Sequence, residues 1–328
     1  MSFLQEAKRI AEKVNAFIDL HVKGSPPELY DASLHLIRAG GKRLRPFATL
    51  KFHCLYSSDE DAALPAAVAL GLVHNFTLIH DDIMDRDDMR HGVATVHKKF
   101  GEPLAILAGD VLFAEAYKLI SETPAFEGDF RRVNQAIRLL SSSFIVLCEG
   151  QAIDVEAAAG QFYTEKQYYE MIEKKTAALF EASAAMGVLT GNGSDEDMEN
   201  AKMYARNVGL AFQMVDDLLG VVGEPSVTGK PVGGDLKEGK KTLPIYLAVQ
   251  RSGAQDRRLI ESVWGRSDAK QEDVEAAVEV VRKLGIDRET KRRALAHIDA
   301  ALSHLERMSG GDKRWLVELA HFVVERNI

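Results

Sequence analysis

Asp61-Ala-Ala-Leu-Pro-Ala-Ala-Val-Ala-Leu-Gly-Leu-Val-His-Asn-Phe-Thr-Leu-Ile-His-Asp-Asp-Ile-Met-Asp85 runs an apolar stretch straight into a cluster of carboxylates. With Asp61 as its cap, the segment reads as one long helix from Ala62 to about Asp85. Pro65 then falls fourth, where a missing N–H costs nothing. The uninterrupted apolar part, Ala62–Val73, is twelve residues long. A membrane span needs about 20, so this is the expected core helix of a soluble protein, with a charged end.

Helical spacing continues on both sides. Phe3, Ile10, Val14 and Phe17 recur with charges between them until Pro26-Pro27 break the pattern, and Leu29–Ala39 forms the next helix. Further helices are expected over Leu104–Ile120, Asp129–Val155, Thr164–Leu189 and Asp195–Val222. Shorter charge-rich amphipathic helices follow from Leu243 onward. No alternating strand pattern of useful length, no repeat and no linker is present. The expectation is an all-α protein, a single large helical bundle over residues 1–328. Gly223–Gly239 is the exception, with five glycines and two prolines. It reads as a loop, and loops longer than about 12–15 residues in a compact domain are usually functional or disordered.

The 328 residues are 46% hydrophobic and 27% charged, which excludes general disorder. Forty-nine acidic against 41 basic residues give a net charge of −8, the wrong sign for a nucleic-acid binder. An acidic protein that holds an anion needs local lysines, arginines or metal ions. Cys54 and Cys148 are too few for a disulfide scaffold. The charged N-terminus, with Glu6, Lys8, Arg9, Glu12 and Lys13, does not read as a signal peptide. A cytoplasmic protein is expected.

The acidic clusters carry the chemistry. Asp81 and Asp85 are four apart and share a helix face, with Asp82 beside them. Crowded carboxylates repel unless a cation sits among them. Such hard oxygen donors suit Mg²⁺, which takes one or two carboxylates and completes its shell with substrate phosphates. Phe212-Gln-Met-Val-Asp216-Asp217 repeats the arrangement, with Gln213 on the face of its acidic pair. Two acidic helix ends facing each other is how bundles build metal sites, and a diphosphate bridged by several Mg²⁺ would fit between them.

Gly40-Gly-Lys42-Arg43-Leu-Arg45-Pro46 is a compact basic turn. Lys42, Arg43 and Arg45 can bind a second phosphate group, and Gly40 or Gly41 can equally serve as a helix C-cap. Lys175 precedes Thr176, and Lys230 and Lys240 bracket the Gly-rich loop. No P-loop, G-x-G-x-x-G, H-E-x-x-H or C-x-x-C is present. His80-Asp81 also admits a reading as an HD-type metal-dependent phosphohydrolase.

At these residues the chain resembles the trans-isoprenyl diphosphate synthases, or polyprenyl synthetases, over nearly its whole length. Gly40–Pro46 is similar to that family's G-G-K-R-x-R-P, and Asp81–Asp85 to its D-D-x-x-D. Phe212–Asp217, with Gly229-Lys230 and Asp235…Gly239-Lys240-Lys241-Thr242, is similar to its second acidic region and lysine-bearing loop.

The resemblance implies roles residue by residue. Asp81 and Asp85 would ligate two Mg²⁺ with Asp82 in support, and Asp216 a third, with Asp217 and Gln213 behind it. Arg90, Lys175, Lys240 and Lys230 would hold the allylic diphosphate (dimethylallyl, geranyl or farnesyl). Lys42, Arg45 and His74 would hold isopentenyl diphosphate. Gln151 and Asp154 resemble a central-helix pair near the metals, and Thr176 would sit beside the forming carbocation. A homodimer is implied.

Two departures stand out. Arg90-His91-Gly92 has His91 where the family has an arginine contacting isopentenyl diphosphate, and Gly220 replaces the third aspartate of the second motif. The implied reaction is 1′-4 head-to-tail condensation, with a geranylgeranyl (C20) product. Phe76, five residues before Asp81, is the chain stop that the resemblance points to. On the helical wheel, Thr77 lies closer to the catalytic face, about 40° from Asp81. Farnesyl or longer-chain synthesis, a terpene cyclase and an inactive partner subunit are the other readings. The basic turn disfavours a cyclase, and intact Asp81, Asp85, Asp216 and Lys230 disfavour an inactive chain.

Overall fold

The computed structural model describes residues 2–158, 164–223 and 232–325. The helices are α1 Phe3–His21, α2 Pro27–Ala39, α3 Leu44–His53, α4 Leu64–Asp85, α5 Val96–Phe100, α6 Glu102–Ser121, α7 Phe130–Ala158 and α8 Glu165–Ile172. They continue with α9 Ala178–Gly191, α10 Asp195–Val222, α11 Gly234–Glu238, α12 Leu243–Arg251, α13 Ala254–Val263, α14 Gln271–Lys283, α15 Ile286–Arg307 and α16 Arg314–Val324. Among the described residues the only strands are Met89–Arg90 and Val93–Ala94, an antiparallel pair. The all-α expectation holds.

The residues group into two compact units. One comprises Met1–Ser143, Leu179–Lys202 and Arg307–Glu318, the other Phe144–Ala178, Met203–Glu306 and Leu319–Ile328.

In the first unit α4 is the central element. Every residue from Leu64 to Val73 is buried, so the helix is apolar all round rather than striped. It begins two residues later than expected, after a 3₁₀ turn Glu60–Ala63. Asp59, not Asp61, is the cap, its carboxylate accepting from the N–H groups of Asp61 and Ala62 at 3.2 and 3.3 Å. A start at Leu64 sets Pro65 within the first two helical positions, where proline is favoured.

By length and composition the helical stretches Glu60–Asp85 and Phe130–Glu156 would both suffice to cross a bilayer, which counting strictly apolar residues did not show. In the first, 78% of the apolar window is buried inside the protein, as in a core helix. Helix α3 starts without a side-chain cap: Arg43 adopts a left-handed φ of 51° at its N-cap and makes no capping hydrogen bond there. α1 is tied down by an ion network in which Glu6 accepts from Arg9 and Lys51, while Glu60 meets Arg9, Lys13 and Lys51.

In the second unit the expected Thr164–Leu189 helix is broken at a π turn, Glu173–Ala177. Its backbone lies against Gly150 of α7, where an added Cβ would stand 2.3 Å from the Lys175 nitrogen. Only glycine allows that approach. The Gly223–Gly239 stretch, expected to hold no regular element, contains α11, bounded by Gly233 and Gly239, each at φ 74°. Residues 224–231, with Lys230, lie outside the described residues.

Candidate active site

In the first unit the acidic end of α4 divides its labour. Asp85 is exposed and Asp81 half-buried, whereas Asp82 is fully buried. Asp82 accepts from Arg90 Nε through Oδ1, and its Oδ2 has no hydrogen-bond partner among the described residues. Burial pushes the Asp82 carboxyl up to about 6, against the pull of Arg90. Arg90 comes from the strand pair, whose tight turn is His91-Gly92 with φ 51° and 78°. Positive φ at both turn positions is the geometry of a two-residue hairpin.

The basic turn sorts its three cations. Gly40, φ 136°, closes α2 as its C-cap. Arg43 donates to the carbonyls of Ile37 and Gly40 and, at 2.9 Å, to Asn15 Oδ1. It therefore builds the turn, which corrects its reading as a phosphate ligand. Lys42 is exposed. Arg45 is 9% exposed, lies 4.5 Å over the Phe180 ring, and has an Nε with no hydrogen-bond partner among the described residues. Burial pulls its guanidinium down to about 9. Burial, then the charges of Arg45, Arg90, His91 and Arg43, hold His74 well below the ordinary histidine range. These basic groups lie near enough to act on one imidazole.

Phe76 is buried and continues an aromatic column onto α6, with ring centroids 5.3 Å to Phe113 and then 5.0 Å from Phe113 to Tyr117. Thr77 turns its hydroxyl back onto the His74 carbonyl at 2.8 Å. His80 meets the Ile106 carbonyl at 3.1 Å and the Phe76 ring edge. That places it in α4–α6 packing, a use the HD reading did not foresee.

In the second unit Lys175 donates to Asp154 at 2.7 Å. Gln151 is 7% exposed, and neither amide atom has a partner among the described residues. Thr176 Oγ1 donates to Gln213 Oε1 at 2.8 Å, and Gln213 Nε2 donates to Asp217 Oδ1 at 2.8 Å. Tyr168 donates to Asp217 Oδ2 at 2.6 Å. Burial pushes Asp217 up to about 7, with these hydrogen bonds opposing and the charges of Asp235 and Asp216 adding. Asp216 is exposed. Lys240 lies 3.3 Å from Asp235 and 2.8 Å from Glu238.

The family model for polyprenyl synthetase matches residues 26–281. The chain belongs to the polyprenyl synthetase family. A geranylgeranyl diphosphate synthase of Methanosarcina mazei is 40% identical, over 99% of this chain and 98% of its own. The crystal structure of geranylgeranyl pyrophosphate synthetase from Pyrococcus horikoshii Ot3 superposes with a TM-score of 0.89 at 36% identity, covering 99% of this chain and 97% of that one. A polyprenyl synthase from Caulobacter crescentus CB15, solved with calcium and isoprenyl diphosphate, gives 0.88 at 32% identity, covering 99% and 97%.

As a polyprenyl synthetase the protein is a trans-prenyltransferase that elongates prenyl chains. The sequence reading assigned no role to Tyr168, Phe113 or Asp235. Only Asp235 had a signal, since it lies inside the quoted lysine-bearing region and Gly220 leaves a carboxylate unaccounted for.

Proposed function

We propose that this polyprenyl synthetase condenses isopentenyl diphosphate with dimethylallyl, geranyl and farnesyl diphosphates and stops at the C20 product, geranylgeranyl diphosphate. Residues 1–328 then work as one prenyltransferase domain, consistent with relatives matched over nearly their whole length.

The observation that carries the reading is the buried Arg45, 9% exposed and with no hydrogen-bond partner for its Nε among the described residues. A buried guanidinium with an unpartnered donor is costly until an anion meets it. The diphosphate of isopentenyl diphosphate is that anion, held by Lys42, Arg45, His74 and His91. Lys175, Lys240, Lys230 and Arg90 hold the allylic diphosphate.

Divalent metal fits the donor set. Among the described residues no three His, Cys, Asp or Glu side chains form a ready-made cage. Mg²⁺ commonly takes one or two carboxylates and draws the rest of its shell from phosphates and water. The buried Asp82 Oδ2, which has no donor among the described residues, favours a nearby cation. Asp81 and Asp85 would hold two Mg²⁺ with Asp82 in support, and Asp216 a third. When bound, the metal supplies charge neutralisation of the departing diphosphate.

The protein's own residues do the remainder. The lysines and arginines stabilise the leaving group as charge develops. Thr176 presents its hydroxyl dipole to the electron-poor allylic carbon, and Gln151 orients beside it. The isopentenyl C=C bond attacks that carbon, and the proton lost passes to the released diphosphate. Phe76, backed by Phe113, forms the floor that limits chain growth. α7 carries exposed Phe130 and Ile145, at 86% and 59%, surface suited to a second copy in a cytoplasmic homodimer.

The test incubates the purified protein with Mg²⁺, isopentenyl diphosphate and each allylic diphosphate, and sizes the products by mass spectrometry. C20 should accumulate. Products that end at C15 or run past C20 would remove the chain-length assignment. Phosphate-ester hydrolysis without consumption of isopentenyl diphosphate would remove the synthase reading altogether.

A further inference from the structure

Tyr168 is a fully buried phenol that the condensation does not use. Its hydroxyl donates to Asp217 Oδ2 at 2.6 Å, and Gln213 Nε2 donates to the other oxygen of the same carboxylate at 2.8 Å. Gln213 Oε1 in turn accepts from Thr176 Oγ1 at 2.8 Å. Four side chains from α8, the π turn and α10 thus form one continuous hydrogen-bonded chain. Each link is directional, because the Gln213 amide cannot rotate without breaking a bond at one end.

The π turn makes this chain possible. Tyr168 and Thr176 are eight residues apart, about 80° off one face in a regular α-helix at 100° per residue. A π turn accommodates one extra residue. Removing that residue's step brings Thr176 to within about 20° of Tyr168. Both can then address α10, where Gln213 and Asp217, four apart, share a face.

We infer that Tyr168 is a positioning residue. By holding Asp217 it fixes Gln213, and through Gln213 it aims the Thr176 hydroxyl. The adjacent carboxylates therefore differ in task. Asp217 has a protein donor on each oxygen and serves as the hub of the chain, while Asp216 is exposed. The inference rests on the proposed placement of Thr176 beside the reacting allylic carbon.

The test compares Tyr168→Phe, Thr176→Val and the double variant. Tyr168→Phe keeps the ring and removes only the donor. It should lower kcat about tenfold or more, while the KM for isopentenyl diphosphate moves less than twofold and unfolding stays cooperative. The double variant should lose much less than the product of the two single losses, since both cut one chain. Side chains without a shared partner act independently. Multiplicative losses, or wild-type kcat in Tyr168→Phe, would overturn the inference.

A second measurement does not need turnover. With ¹⁵N-glutamine labelling, the Gln213 side-chain amide resonance, assigned by its loss in Gln213→Leu, should shift in both single variants. An unmoved resonance in Tyr168→Phe overturns the chain itself. A shifted resonance with a wild type that fails to elongate prenyl chains would instead overturn the assignment of the reaction.

Discussion

The carboxylate of Asp235 occupies the volume into which a side chain at position 220 would project. A Cβ on Gly220 would stand 2.1 Å from Asp235 Oδ2 and 2.3 Å from its Cγ. Position 220 is where the resemblance leads one to expect a third aspartate, so the missing side chain and the inserted carboxylate belong together. Asp235 is 7% exposed and is paired with Lys240 at 3.3 Å. Gly220→Ala should therefore destabilise by about 1–3 kcal/mol, the usual cost of forcing atoms into a packed site, and Gly220→Asp by more. Combining Gly220→Ala with Asp235→Gly should recover much of the loss. Thermal unfolding of the three proteins decides it, and an unchanged Tm in Gly220→Ala would refute the overlap.

Chelation of divalent metal should abolish turnover and leave the fold intact. Asp81→Ala should lower kcat by orders of magnitude at an unchanged Tm, because Asp81 is only half-buried at the helix end. Asp82→Ala should lower Tm as well, since it strips Arg90 of a fully buried partner. Kinetics and circular dichroism melts on the same preparations separate the two, and equal Tm values would show that Asp82 does not support the hairpin.

Arg45→Ala should raise the KM for isopentenyl diphosphate more than that for the allylic partner. A charge-assisted hydrogen bond contributes about 1.5–3 kcal/mol, or roughly 10–100-fold. Arg43→Ala, by contrast, should act on stability, because its donors serve the Ile37 and Gly40 carbonyls and Asn15. Steady-state kinetics with each substrate varied in turn will show whether Arg45 discriminates between them.

Phe76→Ala should extend the product beyond C20, and Phe76→Ala with Phe113→Ala further still, as the Phe76 ring rests on Phe113 at 5.3 Å. Each added methylene gains roughly 0.8 kcal/mol on burial, so chain growth continues until something steric stops it. Thr77→Phe should shorten the product to C15. Product chromatography reads all three, and unchanged lengths would place the floor on another helix.

The ion network beneath α1 predicts an acid-sensitive fold. The Arg9 hydrogen bond, aided by Lys51 against the cost of burial, holds Glu6 down at about 2. Its unfolded value lies near 4.5. The folded state binds this proton less readily than the unfolded one, so the contribution is complete above about pH 4.5 and is lost as pH falls toward 2. Tm followed from pH 6 to 2 should decline less steeply in Glu6→Gln than in wild type, and parallel curves would exclude the effect.

Local chemistry made part of this protein legible in its sequence. An apolar run ending in Asp81-Asp82-Ile83-Met84-Asp85, a second ending in Asp216-Asp217, and a Gly-Gly-basic turn declare helices and charge at fixed spacing, and spacing along one helix needs no partner to interpret. Tertiary packing decided the rest. Arg43 and Arg45 are two residues apart and alike in type, yet one turns its donors onto nearby carbonyls and the other lies buried over Phe180 with a donor that no described residue meets. Asp216 and Asp217 are neighbours, yet one is exposed and the other is locked between Tyr168 and Gln213. Gly220 omits the motif's third aspartate, and the carboxylate of Asp235, fifteen residues on, fills the space a side chain there would take. The physical reason is common to all three: a side chain's role depends on which donors, acceptors and volumes reach it from other segments, and those approaches exist only once the helices have packed.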